Sequence, residues 1–314
     1  MSAPALTSEP TAYPLLQPFA PATEAGDWAR VYAAYSALES DDWRSGAIGE
    51  VSDVDGVETM LAEVANRPGD GTEQLVARTM LASTYIRIGW NIRSGLRAKY
   101  VSDDQFLQFH DYLRRAERML IDVVARQPDN EQAWRQRLIS ARGLQLGQSE
   151  ARRRYDHATR NNPHFSPAQV QLLQQLCPKW SGTLDRMHAF ARECADAAPP
   201  GSINPVLIVQ AHLEQWGDLK SDEGQDYLTS PTVRASVDAA AEKSVLHPDY
   251  LPGYGWVSAH AYFALYFCVV QNWPAAARHF QALGDLDASG IWGYFYGRAE
   301  EKFLEHRARA LAKG

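Results

Sequence analysis

At 314 residues, 45% apolar and 22% charged, the chain is long enough for one large domain or two ordinary ones and apolar enough to bury a sizeable core. A net charge of −7 at neutral pH argues against a nucleic-acid binder. The three cysteines, Cys177, Cys194 and Cys268, are odd in number with no CxxC pair, which argues against a disulfide framework and fits reduced, buried thiols of a cytoplasmic protein.

Residues 1–25 hold Pro4, Pro10, Pro14, Pro18 and Pro21 among Ala, Ser and Thr. They lack the basic start and continuous apolar run of a secretory signal, and predict an extended or disordered arm. Leu15, Leu16 and Phe19 give that arm a side suited to an apolar groove, but a loose tail is the plainer reading. A single helical-repeat domain is expected over 26–314.

Gly26-Asp27-Trp28 opens an amphipathic helix to about Glu39, with Trp28, Val31, Tyr32, Tyr35 and Leu38 on one side. Residues 41–57, polar and carrying Gly46, Gly49 and Gly56, predict a loop. Helical patterns follow at 72–96 and 103–127, the second with Ser102 and Gln105 placed for a capping box.

Pro128, Pro163 and Pro199 then fall 35 and 36 residues apart, each closing a pair of helical patterns. A period of about 34 residues is one helix–turn–helix unit that must bury its apolar face on a neighbour. Trp134, Leu138, Ala141 and Gln145 mark the first helix of one pair, and Ala151, Tyr155 and Ala158 the second. Large aromatics over small residues in this order resemble a tetratricopeptide repeat, so the expected fold is an all-α stack of tetratricopeptide-like hairpins. Ser166-Pro167 and Ser230-Pro231 start further helices. Another pair is expected at 250–272 and 274–283, then a last helix over 288–312, with no strand anywhere. The most apolar run, 257–270, has 14 residues, too short for a bilayer that needs about 20.

Between two helices lies Leu176-Cys177-Pro178-Lys179-Trp180-Ser181-Gly182-Thr183, followed by Met187, Phe190 and Ala191. With Gly26-Asp27-Trp28, Trp90/Arg93/Gly95 and Trp134/Arg142/Gly143, it resembles an uncharacterised bacterial helical-repeat family, in which a Leu-Pro-Arg-Trp-Gly-Gly-Ser turn precedes a Phe-Ala helix. The resemblance covers about 26–216 and implies a tetratricopeptide-like fold without an established activity. Cys177, Lys179, Ser181 and Thr183 depart from the family's turn. Physically, Pro178 ends one helix, Gly182 permits a tight turn, Thr183 or Ser181 caps the next helix and Trp180 plugs the corner.

Catalytic and metal motifs are weak. Asp53-Val54-Asp55-Gly56 suggests part of a calcium loop, but with Gly56 as its glycine the first and last ligand positions hold Val51 and Ala62. Asp41-Asp42 and Asp103-Asp104 lack the partner motif of helical magnesium–diphosphate enzymes, and acids at helix starts are expected from the dipole. The nine histidines form no HExxH and no zinc spacing with cysteine. No P-loop, GxSxG or GxGxxG is present, so no catalytic residue, metal or cofactor is assigned.

Two features point to binding. Residues 112–160 carry eleven arginines, no lysine and six acids. Either they pair internally with Glu117, Asp122, Asp129 and Glu131, or they grip an acidic peptide or a carboxylate terminus. The second feature is an aromatic-rich C-terminal third, about 248–314, where Trp292-Gly293-Tyr294-Phe295-Tyr296 cannot all face inward on a helix. The expected function is a cytoplasmic, non-catalytic module binding a protein or peptide on a concave face. Its site residues are Trp134, Arg135, Arg142 and Arg93, with Trp292 and Tyr294 as aromatic contacts or a homo-oligomer surface, and neither nucleic acid nor membrane is a partner. The alternative is an enzyme or small-molecule binder with an Arg-lined, aromatic-walled pocket for an anion.

Overall fold

The computed structural model describes residues 6–68, 71–95 and 100–314. The protein is all-α, 73% helix, and no strand forms among the described residues. The helices pack largely as sequential hairpins, in two compact units: residues 15–181, and residues 182–314 together with the N-terminal segment up to Pro14.

In the 15–181 unit the helices are α1 (Phe19–Glu24), α2 (Trp28–Ser36), α3 (Asp41–Ser52), α4 (Val57–Ala65), α5 (Thr72–Arg93), α6 (Asp103–Arg126), α7 (Glu131–Gly143), α8 (Gln148–Ala158) and α9 (Ser166–Leu176). The expected helix ends lie close to these, apart from Leu96, which falls outside the described residues. Asp27 caps α2 by accepting from Arg30 N, and the Ser102/Gln105 capping box opens α6 with both of its reciprocal bonds. The helix pair expected here forms the hairpin α7/α8, in which Leu138, Ala151 and Ala158 are wholly buried and Trp134 and Tyr155 are buried too. Gln145 is not in that pair's first helix but in its connection, at φ 55°. Beyond adjacent hairpins, α5 also packs on α7, and α7 on α9.

Two expectations are corrected here. Residues 41–52 of the expected loop form helix α3, and only 53–56 make a turn before α4. Ser40 caps α3 by accepting from Asp42 N at 3.2 Å, and Ser45, Gly46 and Ala47 are buried where small residues let the helix approach its neighbours. Residues 6–25 are not a loose tail. Leu16 and Phe19 are buried in the 15–181 unit. In the other unit Thr7 exchanges backbone bonds with Asp285 and Asp287, and Tyr13, 4% exposed, packs on Tyr254. Residues 1–5 of the expected arm lie outside the described residues.

The 182–314 unit holds α10 (Leu184–Ala197), α11 (Val206–Asp218), α12 (Ser221–Thr229), α13 (Pro231–Lys243), α14 (Trp256–Val269), α15 (Trp273–Leu283), α16 (Gly290–Tyr296) and α17 (Ala299–Lys313). The single last helix expected at 288–312 is two, because Gly297 takes the left-handed conformation (φ 71°) that ends α16. Among the described residues no helix is long and apolar enough to cross a membrane.

Candidate functional site

The most distinctive arrangement in the 15–181 unit joins Trp90 and Arg93 of α5, Phe109 of α6, Arg142 of α7, Gln171 of α9 and Trp180. Trp90 and Arg93 are three residues apart, so both project from one side of α5's last turn. Trp90 meets Phe109 edge-on at 4.8 Å between ring centres and Trp180 at 5.6 Å with the planes 87° apart. The Arg93 guanidinium carbon lies 5.9 Å from the Trp180 ring centre. That of Arg142 lies 5.9 Å from the same ring and 5.5 Å from Trp90. Both are cation–π distances, each contributing roughly 0.5–2 kcal/mol.

Trp180 is held by its backbone. After α9 the chain forms a short 3-10 turn, Pro178–Trp180, and Ser181 reverses it at φ 66°. The Trp180 carbonyl accepts from Gln148 Nε2 at 2.9 Å and Gln175 Nε2 at 3.1 Å. Ser181 therefore makes the left-handed turn expected of Gly182, while Thr183 caps α10 as predicted, accepting from Arg186 N. Arg142 Nη1 donates to Gln171 Oε1 at 2.9 Å, which fixes its fork beside the indoles. Burial pushes the Arg93 guanidinium below its ordinary pKa. Two planar cations set against two indoles suit an anion attached to an apolar or planar body.

The other predicted residues lie elsewhere. Trp134 stacks on His157 at 4.2 Å, donates Nε1–H to Pro128 O at 2.7 Å, and carries the Arg137 guanidinium 4.8 Å from its ring. It is the plug of the α7/α8 corner. Arg135 and Arg142 share a face of α7, but Arg135 is two turns away and its charge acts on Asp42. Burial first, then neighbouring Asp41, push the Asp42 carboxyl up to about 6, while Arg135 opposes the shift. Trp292 is not a surface contact. It is wholly buried, packs on Phe303 at 5.0 Å and donates Nε1–H to His306 Nδ1 at 3.0 Å. Tyr294 is 57% exposed and its hydroxyl donates to Glu214 Oε1 at 2.9 Å.

Much of the arginine excess is internal. Arg137 donates to Glu117 Oε1 and Arg154 to Glu117 Oε2, each at 2.9 Å, and Ser140 Oγ donates to the same carboxylate at 2.6 Å. Asp122, Asp129, Glu150 and Asp156 also pair with arginines of this stretch. Asp53 and Asp55 both face Arg87 at 3.7 Å. Among the described residues no three His, Cys, Asp or Glu side chains gather into a metal-binding group.

Sequence reasoning assigned Trp180 to packing and gave Gln171 no role. The three-residue spacing of Trp90 and Arg93 was a signal that could have paired them. No family model matches the chain, and neither a curated protein nor a solved structure is significantly similar to it.

Proposed function

We propose that this is a non-catalytic binding protein of stacked, tetratricopeptide-like hairpins that holds an acidic peptide segment or a peptide C-terminus on Trp90 and Trp180 between Arg93 and Arg142. The observation carrying this reading is that two guanidiniums from helices far apart in sequence stand 5.9 Å from one indole ring. A guanidinium offers its donors in a planar fork that matches a carboxylate, and an indole covers an apolar or peptide face at low entropic cost. The arrangement has no nucleophile–base pair, so it favours binding over turnover.

Titration of the protein with peptides ending in a free acidic C-terminus, followed by tryptophan fluorescence, tests the proposal. Binding should move the emission and weaken at least about tenfold on Arg93→Gln with Arg142→Gln, the loss of two charge-assisted contacts. Equal binding of amidated, uncharged peptides would refute it. A small anion that binds in place of every peptide would move the assignment to the alternative, a small-molecule pocket.

A further inference from the structure

Four helices of the 182–314 unit bring together side chains that lie far apart in sequence. His188 comes from α10, His212 and Gln215 from α11, Tyr227 from α12 and Ser236 from α13, because α11 packs on α10, α12 and α13. His212 and Gln215 are three residues apart and share a helix face. His212 Nδ1 lies 2.6 Å from the Tyr227 hydroxyl, and His188 Nε2 lies 3.3 Å from that hydroxyl and 2.7 Å from Gln215 Oε1. The two imidazole rings stand 4.8 Å apart.

Hydrogen bonding sets the tautomer of His212. Ser236 Oγ donates to Val233 O at 2.8 Å, so at 3.0 Å it accepts from His212 Nε2–H. The His212 Nδ1 lone pair is then directed at Tyr227. A ring nitrogen held by a hydrogen-bonded N–H on the far side of the imidazole is how metal-binding histidines are oriented. His188, His212, Gln215 and Tyr227 are each half-buried rather than enclosed in the core.

We infer that His188 Nε2, His212 Nδ1 and Tyr227 Oη, with Gln215 Oε1 as a fourth donor, bind a divalent transition metal ion of the imidazole-preferring kind, Zn²⁺ or Cu²⁺. In a tetrahedral site with bonds of about 2 Å, donors stand about 3.3 Å apart. The His188–Tyr227 separation already has that value, and the His212–Tyr227 hydrogen bond opens as the ion replaces its proton. On binding, His188 moves its ring proton to Nδ1 and Tyr227 releases one proton to solvent, so one proton leaves for each ion bound. Asp185 and Arg192, on the same helix as His188, bring charges of opposite sign to the site's edge. The site involves none of the residues of the proposed peptide site, and the two proposals stand or fall separately.

The test is isothermal titration of the full chain, first stripped by a chelator, with ZnCl₂ and with CuCl₂. The expected result is one ion per chain with a dissociation constant of about 1 μM or tighter. His188→Ala and His212→Ala should each weaken binding at least about tenfold, while His247→Ala leaves it unchanged. The Cu²⁺ complex of the wild type should show coupling to two imidazole nitrogens in its electron paramagnetic resonance spectrum, and Tyr227→Phe should abolish its tyrosinate charge-transfer band. Absence of binding to the wild type, or a copper spectrum without two nitrogens, overturns the assignment even where a variant fails to fold. Unchanged affinity in a folded His212→Ala variant overturns it as well.

Discussion

Arg154 Nη1 lies 2.9 Å from Glu117 Oε2 with the arginine 3% and the glutamate 9% exposed, tying α8 to α6 through the interior. Arg137 of α7 donates to the other oxygen of the same carboxylate, so one acid serves two buried cations. Glu117→Gln removes the charge and leaves both guanidiniums buried, and is expected to destabilise the 15–181 unit by about 3 kcal/mol. Urea unfolding measures this. A loss below about 0.5 kcal/mol, the scale of a surface pair, would contradict it.

Gly143 of α7 lies against α6. A Cβ there would meet Leu113 Cδ1 and stand 2.7 Å from Phe109 Cζ. Gly143→Ala should cost about 1–3 kcal/mol by overpacking. Because Phe109 carries Trp90 on its edge, the same change should shift the tryptophan emission. Unaltered stability and emission would show that the helices part freely.

Acid should act first on the 182–314 unit. His260 and His279 face each other at 3.0 Å between Nδ1 atoms, His279 is wholly buried between Phe263 and Phe267, and its Nε2 has no hydrogen-bond partner. Desolvation holds His260 at about 4 and His279 well below its ordinary value, and lowers His188, His212 and His306 too. These imidazoles are neutral when folded and take up protons when unfolded. Their contribution is complete above about pH 6.5 and is lost as pH falls from there towards the folded values, at up to about 1.4 kcal/mol per pH unit for each. Hydrogen exchange should show α14 and α15 losing protection between pH 7 and 5, and His279→Phe should flatten that loss. Protection independent of pH would contradict it.

Asp42 has the opposite sign. Its folded carboxyl is raised to about 6, chiefly by burial. Stability from this group therefore falls as pH rises from about 4 to 6, and the charged form is carried at a loss above that. Asp42→Asn should stabilise the 15–181 unit at pH 7 by about 2 kcal/mol or less and by nothing at pH 4. Destabilisation at pH 7 would show the charge to be needed.

Local signals were legible in the sequence and convergent ones were not. Ser102 with Gln105, and the alternation of Trp134, Ala151, Tyr155 and Ala158, declare a cap and a hairpin because each depends on residues within one or two helices. α3 was hidden because Gly46 and Gly49 lower helix propensity, whereas burial of its small residues against neighbours offsets that cost. Trp292 was misplaced because its run, Trp292-Gly293-Tyr294-Phe295-Tyr296, gives no clue which ring turns inward; only Trp292 does so completely. Arg93 and Arg142 stood among the sequence candidates, but their meeting at Trp180 depends on how α5, α7 and α9 stack. His188 and His212 likewise carry no shared motif, and only α11's packing joins them to Tyr227.

Native mass spectrometry of the protein purified gently from its own host, alongside the Arg93→Gln, Arg142→Gln double variant, tests the binding proposal most directly. The account predicts a stoichiometric polypeptide bound to the wild type and absent from an equally helical variant. The same polypeptide retained by both proteins, or neither protein carrying one, would contradict it.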